Sequence, residues 1–257
     1  MLKVTSKDGT QITYDKRGQG PALILVLGAL NKRGSGKKLT ELLVDDFTVV
    51  SYDRRGRGDS GDTKPYSVDK EIDDIGALID ELGGSAYVYG HSSGAILALQ
   101  AAEKLDKKVI GLALYEVPYN DDPQAQKIAE QYKKNLKQFL SADKRGDAIA
   151  LFVTSVGVSE KQISAMQKLP MWKGLTAMAP TLLYDTVELM ESYPNVKAQN
   201  VTTKSLVMYG GASPSFMAKT AQKLSQAMPH STLRSLENQT HDVKSGALAP
   251  VLIEFFK

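Results

Sequence analysis

Gly90-His91-Ser92-Ser93-Gly94 holds a serine with glycine two residues away on either side. That spacing fits a sharp strand-to-helix turn that lifts a hydroxyl above the edge of a sheet. Glycine at both flanks lets neighbouring backbone approach where a Cβ would clash. Ser93 fails the same test, because His91 and Ala95 stand two residues before and after it. Ser92 is therefore the nucleophile candidate. The bare pattern recurs by chance, so its context carries the weight: an apolar run, Ser85 to Tyr89, precedes it, and a helix-like run, Ala95 to Ala102, follows. The N-terminus of that helix would direct the Ser93 N–H toward a developing oxyanion.

A serine hydroxyl needs a base, and the chain offers three histidines, His91, His230 and His241. His91 adjoins Ser92 on the wrong side of the turn and is expected to pack beside the site. His230 follows Met228-Pro229 in a polar surface turn. His241 lies in the polar loop Glu237 to Asp242, between the last strand-like run and the closing helix, where a sheet's carboxyl edge receives ligands. It is the base candidate. A third group, a carboxylate, should orient the imidazole and stabilise its cation. The stretch after Ser205 to Tyr209 reads Gly210-Gly211-Ala212-Ser213-Pro214, with no acid. Glu116, at the end of the apolar run Val109 to Tyr115, is the first candidate; Asp185 and a Ser-His dyad without an acid are the alternatives. A bland role for Glu116, capping a helix or anchoring a lid, also stands. Together these residues imply acyl transfer.

The elements that must position them follow from patterning. Lys3 to Ser6 and Gln11 to Tyr14 flank Lys7-Asp8-Gly9-Thr10, a hairpin signal. Ala22 to Leu27 is an unbroken apolar run between breakers, as in a strand covered on both faces. Phe47 to Tyr52, Ser85 to Tyr89, Val109 to Tyr115 and Ser205 to Tyr209 repeat that signature, with helix-like stretches between most of them. About eight strands, counting Leu233 to Leu236, imply an α/β fold with a mostly parallel sheet and helices on both faces. Ala247 to Phe256 closes the chain as a helix. In such an architecture a second oxyanion donor comes from the loop after the third strand, where Gly28 permits a tight turn and the Ala29 N–H is the candidate. Residues 121–193 read as helical throughout, bounded by Pro118, Asp121-Asp122-Pro123 and Pro194-Asn195. They are expected to form an inserted cap on a core of residues 1–120 and 194–257, with a turn at Lys144-Arg145-Gly146-Asp147. Met166, Met171, Met178, Met190, Trp172, Leu175 and Leu182 would line an apolar pocket or form the cap's own core.

Composition excludes several other functions. With 257 residues, 42% hydrophobic and 24% charged, the chain can bury a large core and is neither collagen-like nor disordered. Lys plus Arg minus Asp plus Glu is 32 − 29 = +3, too small a balance to indicate a nucleic-acid or membrane partner. The arginines of Asp53-Arg54-Arg55-Gly56-Arg57 lack the interleaved aromatics of a nucleic-acid surface. There is no cysteine, which removes thiolate metal sites and cysteine nucleophiles. Gly18-Gln19-Gly20 and Gly34-Ser35-Gly36-Lys37 lack phosphate-loop spacing, so no cofactor or metal is expected. Met1-Leu2-Lys3-Val4 begins no signal-peptide core, and Pro21 to Leu30 falls short of a membrane span; a cytoplasmic location is the expectation. Oligomeric state is not legible.

Through Ser51 to Ser60, the Gly90–Gly94 turn and Gln239-Thr240-His241-Asp242, the sequence resembles the α/β-hydrolase superfamily, over residues 1–120 and 194–257. Members with a glutamate after the sixth strand, such as the zearalenone-type lactonases, are the better match for Glu116. Haloalkane dehalogenases and epoxide hydrolases of this fold carry aspartate at the elbow, so Ser92 points away from both. The resemblance implies a serine hydrolase, a carboxylesterase or lactonase, acting on a small, apolar ester or lactone, with Ser92, His241 and Glu116 as triad and the Ala29 and Ser93 N–H groups as oxyanion hole. It implies that the Asp53 to Ser60 segment is mainly structural. A slow or non-catalytic small-molecule receptor, or a C–C bond hydrolase, thioesterase or perhydrolase on the same residues, are the alternatives.

Overall fold

The structure, a computed structural model, describes residues 1–257. Eight strands, β1 (Leu2–Thr5), β2 (Gln11–Arg17), β3 (Ala22–Val26), β4 (Thr48–Tyr52), β5 (Ala86–His91), β6 (Val109–Tyr115), β7 (Ser205–Gly210) and β8 (Ser231–Leu236), form one sheet in the order β1-β2-β4-β3-β5-β6-β7-β8. β1 and β2 form the expected hairpin, and β2 also runs antiparallel to β4. Every other neighbouring pair is parallel. The helices outside the long stretch between β6 and β7 are α1 (Lys37–Leu43), α2 (Val68–Glu81), α3 (Ser93–Leu105), α9 (Ser215–Ala227) and α10 (Ser245–Phe256). Within that stretch lie α4 (Pro123–Ser141), α5 (Arg145–Ser155), α6 (Glu160–Met166), α7 (Met171–Met178) and α8 (Leu189–Ser192).

The apolar runs of β3 to β7 are continuous because both faces of the sheet are covered. Ile24, Val26, Val50, Val88, Leu112, Leu114 and Val207 enter one core with residues of α2, α3 and α9. Their strand neighbours Leu23, Leu25, Val49, Tyr89, Ala113, Leu206 and Met208 enter a second core with α1 and α10. Side chains alternate across a strand, so each apolar residue reaches one core or the other. A fully buried aliphatic residue contributes roughly 1.5–3 kcal/mol here.

Between β6 and β7 the chain is helical from Pro123 to Asn200, seven residues beyond the expected end at 193, because Tyr193–Asn195 and Ala198–Asn200 form 3₁₀ turns. The expected turn at Lys144 to Asp147 lies slightly earlier: Arg145 already begins α5, and Asp143, at φ 52°, makes the turn. The insertion has an apolar cluster of its own, with Leu136, Ile149, Val153 and Leu182 among its members. Between α7 and α8, Tyr184–Glu188 is a π-helical turn, a form found mostly as single turns, frequently at functional sites.

Two glycines seat α3 against the sheet. A Cβ on Gly90 would lie 2.7 Å from Ala95 Cα and Ala98 Cβ, and one on Gly94 would lie 2.2 Å from Val26 O. Gly94→Ala is expected to lower stability by about 3 kcal/mol or more, read as a fall in the urea midpoint, since backbone atoms cannot yield. Gly174→Ala, in a helix with open space around its Cα, is expected to leave the midpoint unchanged or raise it by up to about 1 kcal/mol.

Candidate active site

Ser92 sits between the end of β5 and the start of α3 with φ 58° and ψ −128°. A non-glycine residue in that region costs about 1–3 kcal/mol and persists only where surrounding structure enforces it. Three contacts enforce it. The Ser92 N–H donates to Tyr115 O at 3.0 Å, and the Ala95 N–H donates to Ser92 O at 2.8 Å. The loop after β3 presses from the other side, where a Cβ on Gly28 would lie 2.9 Å from Ser92 Cβ and 3.4 Å from Ser92 Oγ.

The structure brings Ser92, His241 and Glu116 together. His241 Nε2 lies 3.0 Å from Ser92 Oγ, and His241 Nδ1 lies 2.7 Å from Glu116 Oε2. A carboxylate only accepts, so Nδ1 carries the hydrogen and the Nε2 lone pair faces the serine hydroxyl. Glu116 is fully buried at the end of β6 with φ 50°, while His241 is partly exposed. Burial alone would raise the Glu116 carboxyl; hydrogen bonds from His241 and from the Gly210 N–H at 2.8 Å outweigh it and hold the group below the ordinary glutamate value. The end of β7, which lacks an acid, thus supplies a donor to an acid on β6.

Two side chains fasten the loop that carries His241. The Tyr115 hydroxyl donates to Thr240 O at 2.6 Å, and His91 Nε2 donates to His241 O at 2.9 Å. His91 does pack beside the site as expected, and it also holds the adjacent loop. His230 is exposed and apart from the group.

Asp185 makes no hydrogen bond to the imidazole. Its Oδ1 accepts from Arg54 Nη1 at 2.7 Å and from Ser93 Oγ at 2.7 Å, and its Oδ2 accepts from Arg57 Nη2 at 2.6 Å. Burial would raise its carboxyl, but Arg57 and Arg54 hold it below the ordinary aspartate value. Arg54 also pairs with Glu71, and Arg55 pairs with Asp74. All three arginines are buried, and the segment expected to be mainly structural is an interior ion network. Arg54 Nη1 further reaches Leu27 O at 3.3 Å and Arg57 Nη1 reaches Gly28 O at 3.0 Å. Neither the Asp185 link nor the tie to the Leu27–Gly28 loop is legible in the sequence; the one signal is three arginines within four positions, 54, 55 and 57.

Of the two roles expected for the apolar set of residues 166–190, the insertion's own core holds for part of it. Leu182 is in the insertion's cluster with Trp172 and Leu175 against it, whereas Met190 packs against the core beneath the sheet and Met171 is exposed. Ala29 and Leu30 pack against the insertion's cluster, which places that cluster beside the loop after β3. No three His, Asp or Glu side chains are grouped as metal ligands, and no helix is long and apolar enough to cross a membrane.

Residues 30–250 match the Alpha/beta hydrolase family. The chain belongs to that family. An alpha/beta hydrolase from Sphaerobacter thermophilus superposes over the whole of both chains at TM-score 0.87 and 44% identity. Among curated relatives, an uncharacterized hydrolase, YraK, of Bacillus subtilis is 31% identical over 137 residues, 49% of this chain and 51% of that one. A proline iminopeptidase, PfmaB, of Pestalotiopsis fici is 31% identical over 124 residues, 44% of this chain and 43% of that one. The alignments thus span about half the length of these curated relatives. The chain's eight-stranded sheet and helices are those of the family.

In this alpha/beta hydrolase, burial, then the neighbouring His241, push the His91 imidazole down from 6.5 to about 4. Between those values the unfolded chain binds a proton that the folded chain refuses, so stability is full above about pH 6.5 and falls as pH drops toward 4. His91→Gln keeps a donor without a titrating ring. Its thermal midpoint is expected to fall less than the wild type's between pH 6.5 and 4, as read by scanning fluorimetry; parallel curves would contradict this.

Proposed function

We propose that this alpha/beta hydrolase cleaves a small carboxylic ester or lactone through an acyl-serine intermediate. The observation that carries the reading is the continuous hydrogen-bond chain Ser92–His241–Glu116, at 3.0 and 2.7 Å. Ser92 Oγ attacks the carbonyl carbon while its proton passes to His241 Nε2. The Ala29 and Ser93 N–H groups receive the oxyanion. Collapse of the tetrahedral species breaks the bond to the leaving alkoxide, which takes the proton from His241. Water then attacks the acyl group, losing its proton to the same nitrogen and returning Ser92. Glu116, held ionised, orients the ring and stabilises its cation. Residues 121–193 act as a cap, a role supported by the contact of Ala29 and Leu30 with the insertion's own cluster. No protein group beyond these is required by the chemistry, and the substrate is a small molecule.

Incubation with a fluorophosphonate and peptide mapping by mass spectrometry tests the reading. Labelling is expected at Ser92, and is expected to vanish in His241→Ala. On a p-nitrophenyl ester, Ser92→Ala should lower kcat by about 10⁶-fold, toward background, and Glu116→Gln by roughly 10²- to 10⁴-fold, because the acid only assists the base. An unlabelled wild type without turnover would favour a ligand-binding receptor on the same fold; full turnover in Ser92→Ala would end the acyl-serine reading.

A further inference from the structure

One carboxylate, supplied by the insertion, touches the structures that carry both oxyanion donors. Gly28 O and the Ala29 N–H belong to the same peptide unit, which is planar and trans, so the two groups point in opposite directions. Arg57 Nη1 donates to Gly28 O at 3.0 Å. That bond fixes the direction in which the Ala29 N–H points, and a cationic donor on the carbonyl polarises the whole amide and strengthens its N–H as a donor. On the preceding peptide, Arg54 Nη1 donates to Leu27 O at 3.3 Å. Opposite the loop, Ser93, whose N–H opens α3, donates its hydroxyl to Asp185 Oδ1 at 2.7 Å. Asp185 completes the circuit by accepting from Arg54 and Arg57.

Charge balance singles out Arg57. Arg54 already has Glu71 as a partner, from two of its nitrogens. Arg57 has Asp185 as its one carboxylate, and its Nε is buried without a partner. A guanidinium with no exposed side-chain surface and an unpartnered nitrogen is expensive to keep. Its place is explained by the carbonyl that it holds.

We propose that Asp185 is a positioning residue for the oxyanion hole: through Arg57 it orients the Gly28–Ala29 peptide, and through Ser93 Oγ it ties that peptide to the start of α3. It touches no substrate. The proposal rests on the acyl-serine reading above. Because Asp185 lies in the π-helical turn of the insertion, the hole is complete only while the insertion is seated on the core.

The test compares wild type with Asp185→Asn, Arg57→Lys and the double variant Arg57→Met with Asp185→Asn. The double variant removes one charge of each sign and leaves the Arg54–Glu71 pair, so it keeps the interior balanced where the single Asp185→Asn leaves a cation unmatched. Thermal melts select the folded variants; kcat and KM are then measured on p-nitrophenyl acetate, with inhibition by phenylboronic acid, which forms a tetrahedral anion on Ser92. Loss of oriented donors acts on the transition state, so kcat is expected to fall about 10- to 100-fold in the double variant. KM should stay within about threefold and the boronate should weaken by the same factor as kcat. Arg57→Lys, able to reach Gly28 O or Asp185 but not both, should fall between. A folded double variant with wild-type kcat and boronate affinity, or a change confined to KM, overturns the proposal, and if the double variant does not fold, Arg57→Lys with wild-type kcat does the same. A wild type with neither fluorophosphonate labelling nor ester turnover overturns the acyl-serine reading first, whereas labelled, active wild type with unaffected variants overturns this proposal alone.

Discussion

Three arginines in the loop after β4 are buried, and the rest of the structure is arranged to make that tolerable. Taking a guanidinium out of water costs several kcal/mol unless carboxylates and carbonyls surround it. Glu71 and Asp74 come from α2, Asp185 from the insertion, and the carbonyls of Leu27 and Gly28 from the loop after β3. Asp53, also buried, receives the Arg33 and Asp59 N–H groups and pairs with Arg33. Four segments distant in sequence are thereby held to one point. Breaking a buried pair by removing a single partner typically costs about 3–5 kcal/mol, because the other charge stays behind.

That arrangement supports local strain at the site. Leu30, Ser92 and Glu116 all have positive φ, at 57°, 58° and 50°. Each stands at the carboxyl end of a parallel strand or just beyond it, where the chain must turn sharply while a side chain or an N–H is aimed inward. The strain is distributed over backbone contacts that glycine alone permits, Gly28 against Ser92 and Gly94 against Val26. Glu116 is fixed twice over, with one oxygen on the imidazole and the other on the Gly210 N–H. The relative register of β6 and β7 therefore enters directly into the geometry of the Ser92–His241–Glu116 hydrogen-bond chain.

The parts of this structure that depend on local pattern were legible from the residues alone. Unbroken apolar runs place β3 to β7, and the glycine spacing at 90 and 94 marks the sharp turn at Ser92. His241 and Glu116 emerged by elimination, since few histidines and few strand-end acids were available. Asp185 was different. Its partners Arg57 and Arg54 lie 128 and 131 residues away, and an amphipathic helical pattern does not reveal which acid on the buried face meets a cation from another segment. For the same reason the sequence does not show that Arg54, Arg55 and Arg57 are buried: burial of a charge is decided by a distant counter-charge. The methionine set divides for a related cause: helix periodicity says that Met190 and Leu182 are inward without saying that they face different cores.

The contact of Asp185 with the core bears on how exchangeable such insertions are. Spliced between two adjacent parallel strands, the segment has the topology of a module that could be traded between relatives without disturbing the sheet. Electrostatics deny it that freedom. A transplanted insertion lacking an acid at this turn would leave Arg57 sealed in the interior with no counter-ion, so the host loop and the incoming helices must change together. The unit to transplant is the insertion plus the arginine loop that it neutralises, and a chimera drawn only at strand boundaries would cut through it.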